Sequence, residues 1–204
     1  METDMDLLTA IRNRRSVREY KADTVGEPTL RALIDAAIVA PTAVHREAWS
    51  FVVVTGRALL KRCSDAAKGA LLVSLSENPQ LGGFKEHLGS PDFNIFYNAP
   101  TLIIVCATEP DSMATQSACL GAENLMLCAR GMGLGSCWIG FAEAWLSTPA
   151  AAAELSIPRG HTPIAPIIVG YPEHWPESPG RRAPTIVWVE DRISSLERNA
   201  IALA

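Results

Sequence analysis

The order of apolar and polar positions along the 204-residue chain predicts helices alternating with short, wholly apolar strands. Leu7, Leu8 and Ile11 recur at helical spacing in Asp6–Arg14, which ends in cations, as helix C-termini favour. Glu27-Pro28 opens a second helix with Leu30, Leu33, Ile34, Ala37 and Ile38 on one face, and Pro41 stops it. Ser50–Thr55 reads as a buried strand and Arg57–Lys68 as a helix, whereas Ser76–Pro91 is polar enough to be an exposed excursion or lid. Thr101–Ala107 reads as a second buried strand. A long helix over Ser112–Met132 then places Ala114, Ala118, Gly121, Ala122, Leu125 and Ala129 on one small-residue face. Gly133-Leu134-Gly135 ends it. A short strand at Ser136–Gly140, a helix around Ala142–Glu154 and a strand at Ile164–Gly170 follow; after the loop Tyr171–Pro184 come a strand at Thr185–Val189 and a helix at Arg192–Ala200. This alternation predicts an α/β or α+β fold with helices on both faces of a sheet, in a single domain over residues 1–204.

Composition narrows the function. At 48% hydrophobic and 20% charged, the chain can build a core and is not intrinsically disordered. Its net charge of −4 gives no global positive field for nucleic acid or an acidic membrane, so any anion site must be a local cluster. No apolar run approaches the ~20 residues of a membrane helix, and the charged N-terminal stretch has no apolar signal core, which predicts a soluble protein. Cys63, Cys106, Cys119, Cys128 and Cys137 are odd in number and lack C-x-x-C spacing, which points away from disulfides and metal sites and toward the cytoplasm.

Three places can carry chemistry. Arg14-Arg15-Ser16-Val17-Arg18 sets guanidiniums close enough to repel unless an anion lies between them; it suits phosphate, although most such runs are solvated turns. Gly180-Arg181-Arg182 is a second basic pair, able to join the first only if the fold brings them together. Gly133–Gly140 (GLGSCWIG) has the glycines of a nucleotide loop but runs from helix into strand, the reverse of the dinucleotide fingerprint. It reads either as a helix C-cap or as backbone N–H groups offered to a flat heterocycle. His45, His87, His161 and His174 are scattered, and no serine lies in G-x-S-x-G, so hard chemistry would belong to a bound cofactor.

In this order the motifs resemble the nitroreductase-like family of FMN enzymes, from Leu7 almost to Val189. Ile11–Tyr20 (IRNRRSVREY) is similar to its R-R-S-x-R opening, and Ala40-Pro41-Thr42-Ala43 with Trp49–Val54 to its A-P-S…P-W-x-F-x-V segment. Phe93–Ile104, GLGSCWIG, IIVGYP and Arg182-Ala183-Pro184 match the remaining blocks. The resemblance implies an α+β fold with a central mixed sheet covered by helices, in a domain-intertwined homodimer whose long helix lies in the dimer core and whose FMN sites lie at the interface. It implies hydride transfer from NAD(P)H through flavin N5 to a small organic acceptor (nitroaromatic, quinone or activated alkene) by a ping-pong scheme. Residue by residue, it puts Arg14, Arg15, Ser16, Arg181 and Arg182 at the flavin phosphate and ribityl chain, and Arg18 at the pyrimidine edge. Cys137, Trp138, Ile139 and Gly140 fall at the ring, with the Ile139 and Gly140 N–H groups toward N5 and O4. Pro41, Thr42, Ala43 and His45 fall on the partner-supplied edge, and Lys68 is a candidate for the polar side chain that meets the ring.

The chain departs from the pattern where His45, Glu47 and Ala48 replace the usual Asn, Gln and Pro. A flavin-binding or delivery protein without its own turnover, or a same-fold dehalogenase or flavin-fragmenting enzyme, therefore stands as the alternative.

Overall fold

The computed structural model describes residues 5–75 and 88–189. Most of the polar stretch Ser76–Pro91 and the helix expected at Arg192–Ala200 lie outside them, while Leu88, at the end of that stretch, is buried. The elements in chain order are α1 (Leu7–Asn13), α2 (Glu27–Ile38), β1 (Trp49–Thr55), α3 (Arg57–Leu75), β2 (Thr101–Ala107), α4 (Ser112–Gly131), β3 (Gly135–Trp138), α5 (Glu143–Leu146), α6 (Pro149–Glu154) and β4 (Thr162–Gly170).

The fold is α+β. Among the described residues one four-stranded sheet has the order β1-β2-β4-β3, and every neighbouring pair is antiparallel. The sequence reading expected a mixed sheet. A helical crossover does carry β2 into β3 in the same direction, but β4 inserts between them and runs against both. Parallel pairing survives as one bridge, Ser16 to Ser136, on the outer side of β3.

Alternation along β2 divides the core. Leu102, Ile104 and Cys106 join Leu60, Cys63, Ile95, Phe96 and Trp145 on one face. Ile103 and Val105 join Leu33, Ala118, Leu125 and Ile167 on the other. TLIIVCA is apolar at every position because helices cover both sides of an interior strand. Interior β4 carries Pro163 and Pro166, which cannot donate to a ladder, and the register shifts beside them between Val105 and Cys106.

Helix ends follow local chemistry. Asp6 caps α1 by accepting from Thr9 N–H, and Asp111 caps α4 by accepting from Ala114 N–H. The helix expected over Ala142–Glu154 is broken, because Pro149 disfavours the α conformation at Thr148. Thr148 turns extended instead and caps α6 through its hydroxyl. Thr185–Val189 forms no strand among the described residues and leaves Ile186, Val187, Trp188 and Val189 exposed.

The small-residue face of α4 packs inside its own chain. Ala114, Ala118, Gly121, Ala122, Leu125 and Ala129 are buried, with α2 the helix packed closest. A Cβ at Gly121 would stand 3.2 Å from the Ala37 carbonyl oxygen, so the two backbones meet there. The helix side left exposed carries Met113 and Leu120.

Gly121→Val should therefore wedge α2 from α4 and lower unfolding free energy by roughly 1–3 kcal/mol, the ordinary cost of overpacking. Asp35→Glu, at an exposed position of α2, should stay within about 0.5 kcal/mol. Urea titration of the two variants checks the difference.

Candidate functional site

The site grows from where α1 stops. Arg14 takes extended geometry as the C-cap, so the next residues leave the helix axis and run along β3. Val17 N–H donates to Ser136 O at 3.0 Å, and the Tyr20 hydroxyl donates to Val17 O at 2.8 Å. Lys21 N–H donates to Tyr171 O, and Glu173 N–H to Glu19 O, which ties the same segment to the exit of β4. This seating needs two glycines. A Cβ on Gly135 would lie 2.8 Å from Val17 side-chain carbons, and one on Gly170 would lie 2.6 Å from Pro100 Cδ and 2.8 Å from the Tyr20 ring.

Cations gather at the C-terminus of α1, whose free carbonyls and dipole favour positive charge. Arg15 Nη1 donates to Arg12 O and Arg14 O, each at 2.7 Å. From the end of α4, Arg130 Nε donates to Asn13 O at 3.2 Å, and its guanidinium stacks 3.7 Å from the centre of the Trp175 ring. Burial first, then the nearby Arg15 charge, push the Arg130 pKa below its usual value. Arg14 pairs loosely with Glu123 at 3.6 Å. Arg15 Nε is buried with no hydrogen-bond partner among the described residues, a donor still lacking an acceptor. The arrangement can hold an anion.

Arg18 points the other way. Its guanidinium carbon lies 5.8 Å from the Tyr97 ring centre, and the two line a cavity of about 190 Å³ with Cys137, Ile139, Gly140 and Phe141. Trp138 also borders it and donates from Nε1 to Glu143 at 3.3 Å. Burial pushes the Cys137 thiol pKa up, with Arg18 partly opposing, so it is a neutral lining group. Ile139 N–H donates to Pro166 O at 2.8 Å and is already used. Gly140 opens the one-turn helix that follows, where no intrahelical carbonyl can reach its N–H.

The opposite wall is the turn before β2. Tyr97 and Asn98 have φ of +51° and +54°, costly for a bulky Tyr by on the order of 1–3 kcal/mol. Lys68 is nearly buried, and its ammonium donates to Ser90 O at 3.1 Å and Phe93 O at 2.6 Å with Asp65 beside it, so it anchors this turn. The sequence reading had considered it for a ring contact. Tyr97, Phe141, Arg130 and Trp175 escaped that reading; the only hint was the FYNAP turn before a buried strand and an Arg at the end of a helix.

Other expected residues stand apart. Ala43 N–H donates to Ser117 Oγ at 3.4 Å, near the start of α4, whereas Glu123 and Arg130 face the Arg14–Arg15 end. At about 1.5 Å per helical residue, these are roughly 10–20 Å farther along the axis. Thr42 is half-buried, Pro41 and His45 are exposed, and Val44, His45 and Glu47 all take positive φ. Positive φ at three residues of one short loop stores backbone strain. Arg181 and Arg182 lie exposed, with Arg181 Nη1 donating to Gly180 O.

Residues 11–171 match the nitroreductase family. A Methanothermobacter thermautotrophicus protein named "Putative NADH dehydrogenase/NAD(P)H nitroreductase" is 29% identical over 182 residues, covering 87% of this chain and 82% of that protein. The crystal structure of an FMN-bound nitroreductase from Bacteroides fragilis is 30% identical and superposes with a TM-score of 0.79, covering 91% of this chain and 100% of that one. Another FMN-bound nitroreductase, from Desulfitobacterium hafniense, shares the fold at 21% identity, with a TM-score of 0.75 and the same coverage.

Because the Gly135 notch seats the Arg14–Tyr20 segment, Gly135→Ala should cost roughly 1–3 kcal/mol of stability by overpacking Val17. Adding Val17→Ala should recover part of that loss, although Val17→Ala alone destabilises. A thermal double-mutant cycle reads the coupling; strictly additive losses would contradict this packing.

Proposed function

Because the chain belongs to the nitroreductase family, we propose that it is an FMN-dependent oxidoreductase, reduced by NADH or NADPH and passing hydride to a small organic acceptor. The observation that carries this is the meeting of two arms: the Arg14–Arg18 segment brings guanidiniums and a buried donor without a partner among the described residues to one side, and the Ile139–Gly140 turn brings a small cavity to the other. These residues fit FMN. Its phosphate would supply the acceptor that Arg15 Nε lacks, and its ring would face Arg18, Cys137, Trp138, Ile139 and Gly140. FMN bound there would supply the two-electron chemistry, accepting hydride from nicotinamide and passing it on.

The chain's own residues then bind, orient and tune. Arg14, Arg15 and Ser16 hold the phosphate and ribityl chain, joined by Arg181 and Arg182. Arg18 sets a cation at the pyrimidine edge, where negative charge develops on reduction. The Gly140 amide and the Ile139 side chain orient the ring, since the Ile139 amide is held by Pro166.

The about 190 Å³ cavity is one side of a site, which supports a homodimer with FMN at the interface. Pro41, Thr42, Ala43 and His45 of the partner subunit close the other edge. Exposed apolar residues support the same assembly: Leu7, Leu8, Met113 and Leu120 on the helices, and Ile186–Val189 beyond the last described strand.

Mixing the FMN-loaded protein with NADH or NADPH without oxygen should bleach the flavin band within seconds; lasting colour with both would leave a flavin carrier and overturn the enzyme. Arg14→Ala should remove a charge-assisted contact worth about 1.5–3 kcal/mol and weaken FMN at least about tenfold. FMN affinity unchanged in both Arg14→Ala and Arg18→Ala would remove the site.

A further inference from the structure

The turn before β2 holds more structure than flavin binding asks of it. Tyr97 N–H donates to Asn94 O at 2.8 Å, Phe96 N–H donates to Asn94 Oδ1 at 2.8 Å, and Asn94 Nδ2 donates to Asn98 Oδ1 at 3.0 Å. Ser64 Oγ accepts from Ile95 N–H at 3.0 Å, and Lys68 grips the carbonyls of Ser90 and Phe93. Lys68, Ser64 and Asn94 are all buried, and each uses its polar atoms on this one turn. A strained residue persists only where its surroundings over-determine it, and here they do so for Tyr97.

What the turn presents is a braced phenol. Tyr97 meets Phe93 edge-to-face at 5.7 Å, lies 5.8 Å from the Arg18 guanidinium carbon, and lines the cavity with Gly140 and Phe141. The ring is fixed on two sides. Its hydroxyl has no hydrogen bond among the described residues, so it is an unused donor on a ring that lies near a cation and lines a cavity.

We propose that Tyr97 is a specificity-determining residue, whose hydroxyl, with Arg18 beside it, donates to an oxygen of a flat conjugated acceptor, a quinone carbonyl or a nitro group. This rests on the flavoenzyme reading and narrows its acceptor class. Quinone and nitro oxygens share one chemistry: they accept hydrogen bonds and gain negative charge as the acceptor is reduced, so a fixed donor next to a guanidinium favours them over acceptors without such an oxygen. Lys68 acts only through Tyr97, as a positioning residue.

Tyr97→Phe keeps the ring and both aromatic contacts and deletes only the hydroxyl. In oxidised, FMN-loaded protein, the dissociation constant of benzoate, an unreactive flat oxygen ligand read through the flavin band, should rise about fivefold, as loss of one ordinary hydrogen bond implies. FMN affinity should change by no more than about twofold. The kcat/KM ratio for benzoquinone over the oxygen-free cation of phenazine methosulfate should fall by a similar factor of about five. Lys68→Met should reproduce the benzoate loss with Tyr97 intact, and Lys68→Arg should restore part of it. Unchanged benzoate affinity in Tyr97→Phe, or an equal loss toward both electron acceptors, overturns the proposal. A protein that binds FMN but is not bleached by nicotinamide refutes turnover alone, and the benzoate titration still decides Tyr97; a protein that binds no FMN refutes both.

Discussion

The site depends on one close approach: the Val17 side chain against the backbone of Gly135. No side chain fits between them, so the segment leaving α1 can lie flat along β3, with Val17 fully buried and donating to Ser136 O. The backbone that carries Arg14–Arg18 takes its position from that contact. Residues on either side of Val17 leave a buried point in opposite directions, so Arg15 turns to the helix ends while Arg18 turns to the cavity at Ile139–Gly140. Gly170 does the same one strand over, admitting Tyr20 and Pro100 where a Cβ would collide.

The second constraint is electrostatic. Guanidiniums this close raise one another's cost; at Arg130 burial first, and the Arg15 charge second, push the pKa down. The chain offsets it locally, with consecutive carbonyls of Arg12, Asn13 and Arg14 accepting from Arg15 and Arg130, and with the Trp175 face stacked on Arg130. The compensation is incomplete at Arg15 Nε. A cluster short of one acceptor, with its repulsion already met by folding, suits the anion proposed for it. The opposite wall follows the same logic with backbone strain: buried Lys68, Ser64 and Asn94 hold Tyr97 in a conformation it would not choose.

Helix α4 connects these parts. Its small-residue face closes on α2 inside the chain, its C-terminal end meets α1 and the arginines, and its start meets the strained Ala43–Glu47 loop through Ser117 and the ion pairs of Arg46 with Glu109 and Asp111. One rigid rod thus separates the cation cluster from the loop proposed to serve the neighbouring subunit. A site shared across two chains needs that spacing to be constant, and a packed helix keeps it better than a loop.

The sequence by itself determined the elements and the chemical vocabulary. Periodicity located α1, α2, β1, β2, α4 and β4 to within a few residues, because a buried face must repeat with the period of its backbone. Motif order gave the family. Local patterns could not say that β4 would insert between β2 and β3, since strand order is settled by which apolar faces bury together. Nor could they say that the flat face of α4 closes on α2, that the Ile139 amide is spent on Pro166, or that Lys68 pins a turn. Tyr97 and Arg18, and Arg15 and Arg130, are far apart in the chain and meet only in the fold. Propensity and spacing act over a few residues, whereas these contacts exist because a close-packed interior leaves each side chain only one place to go.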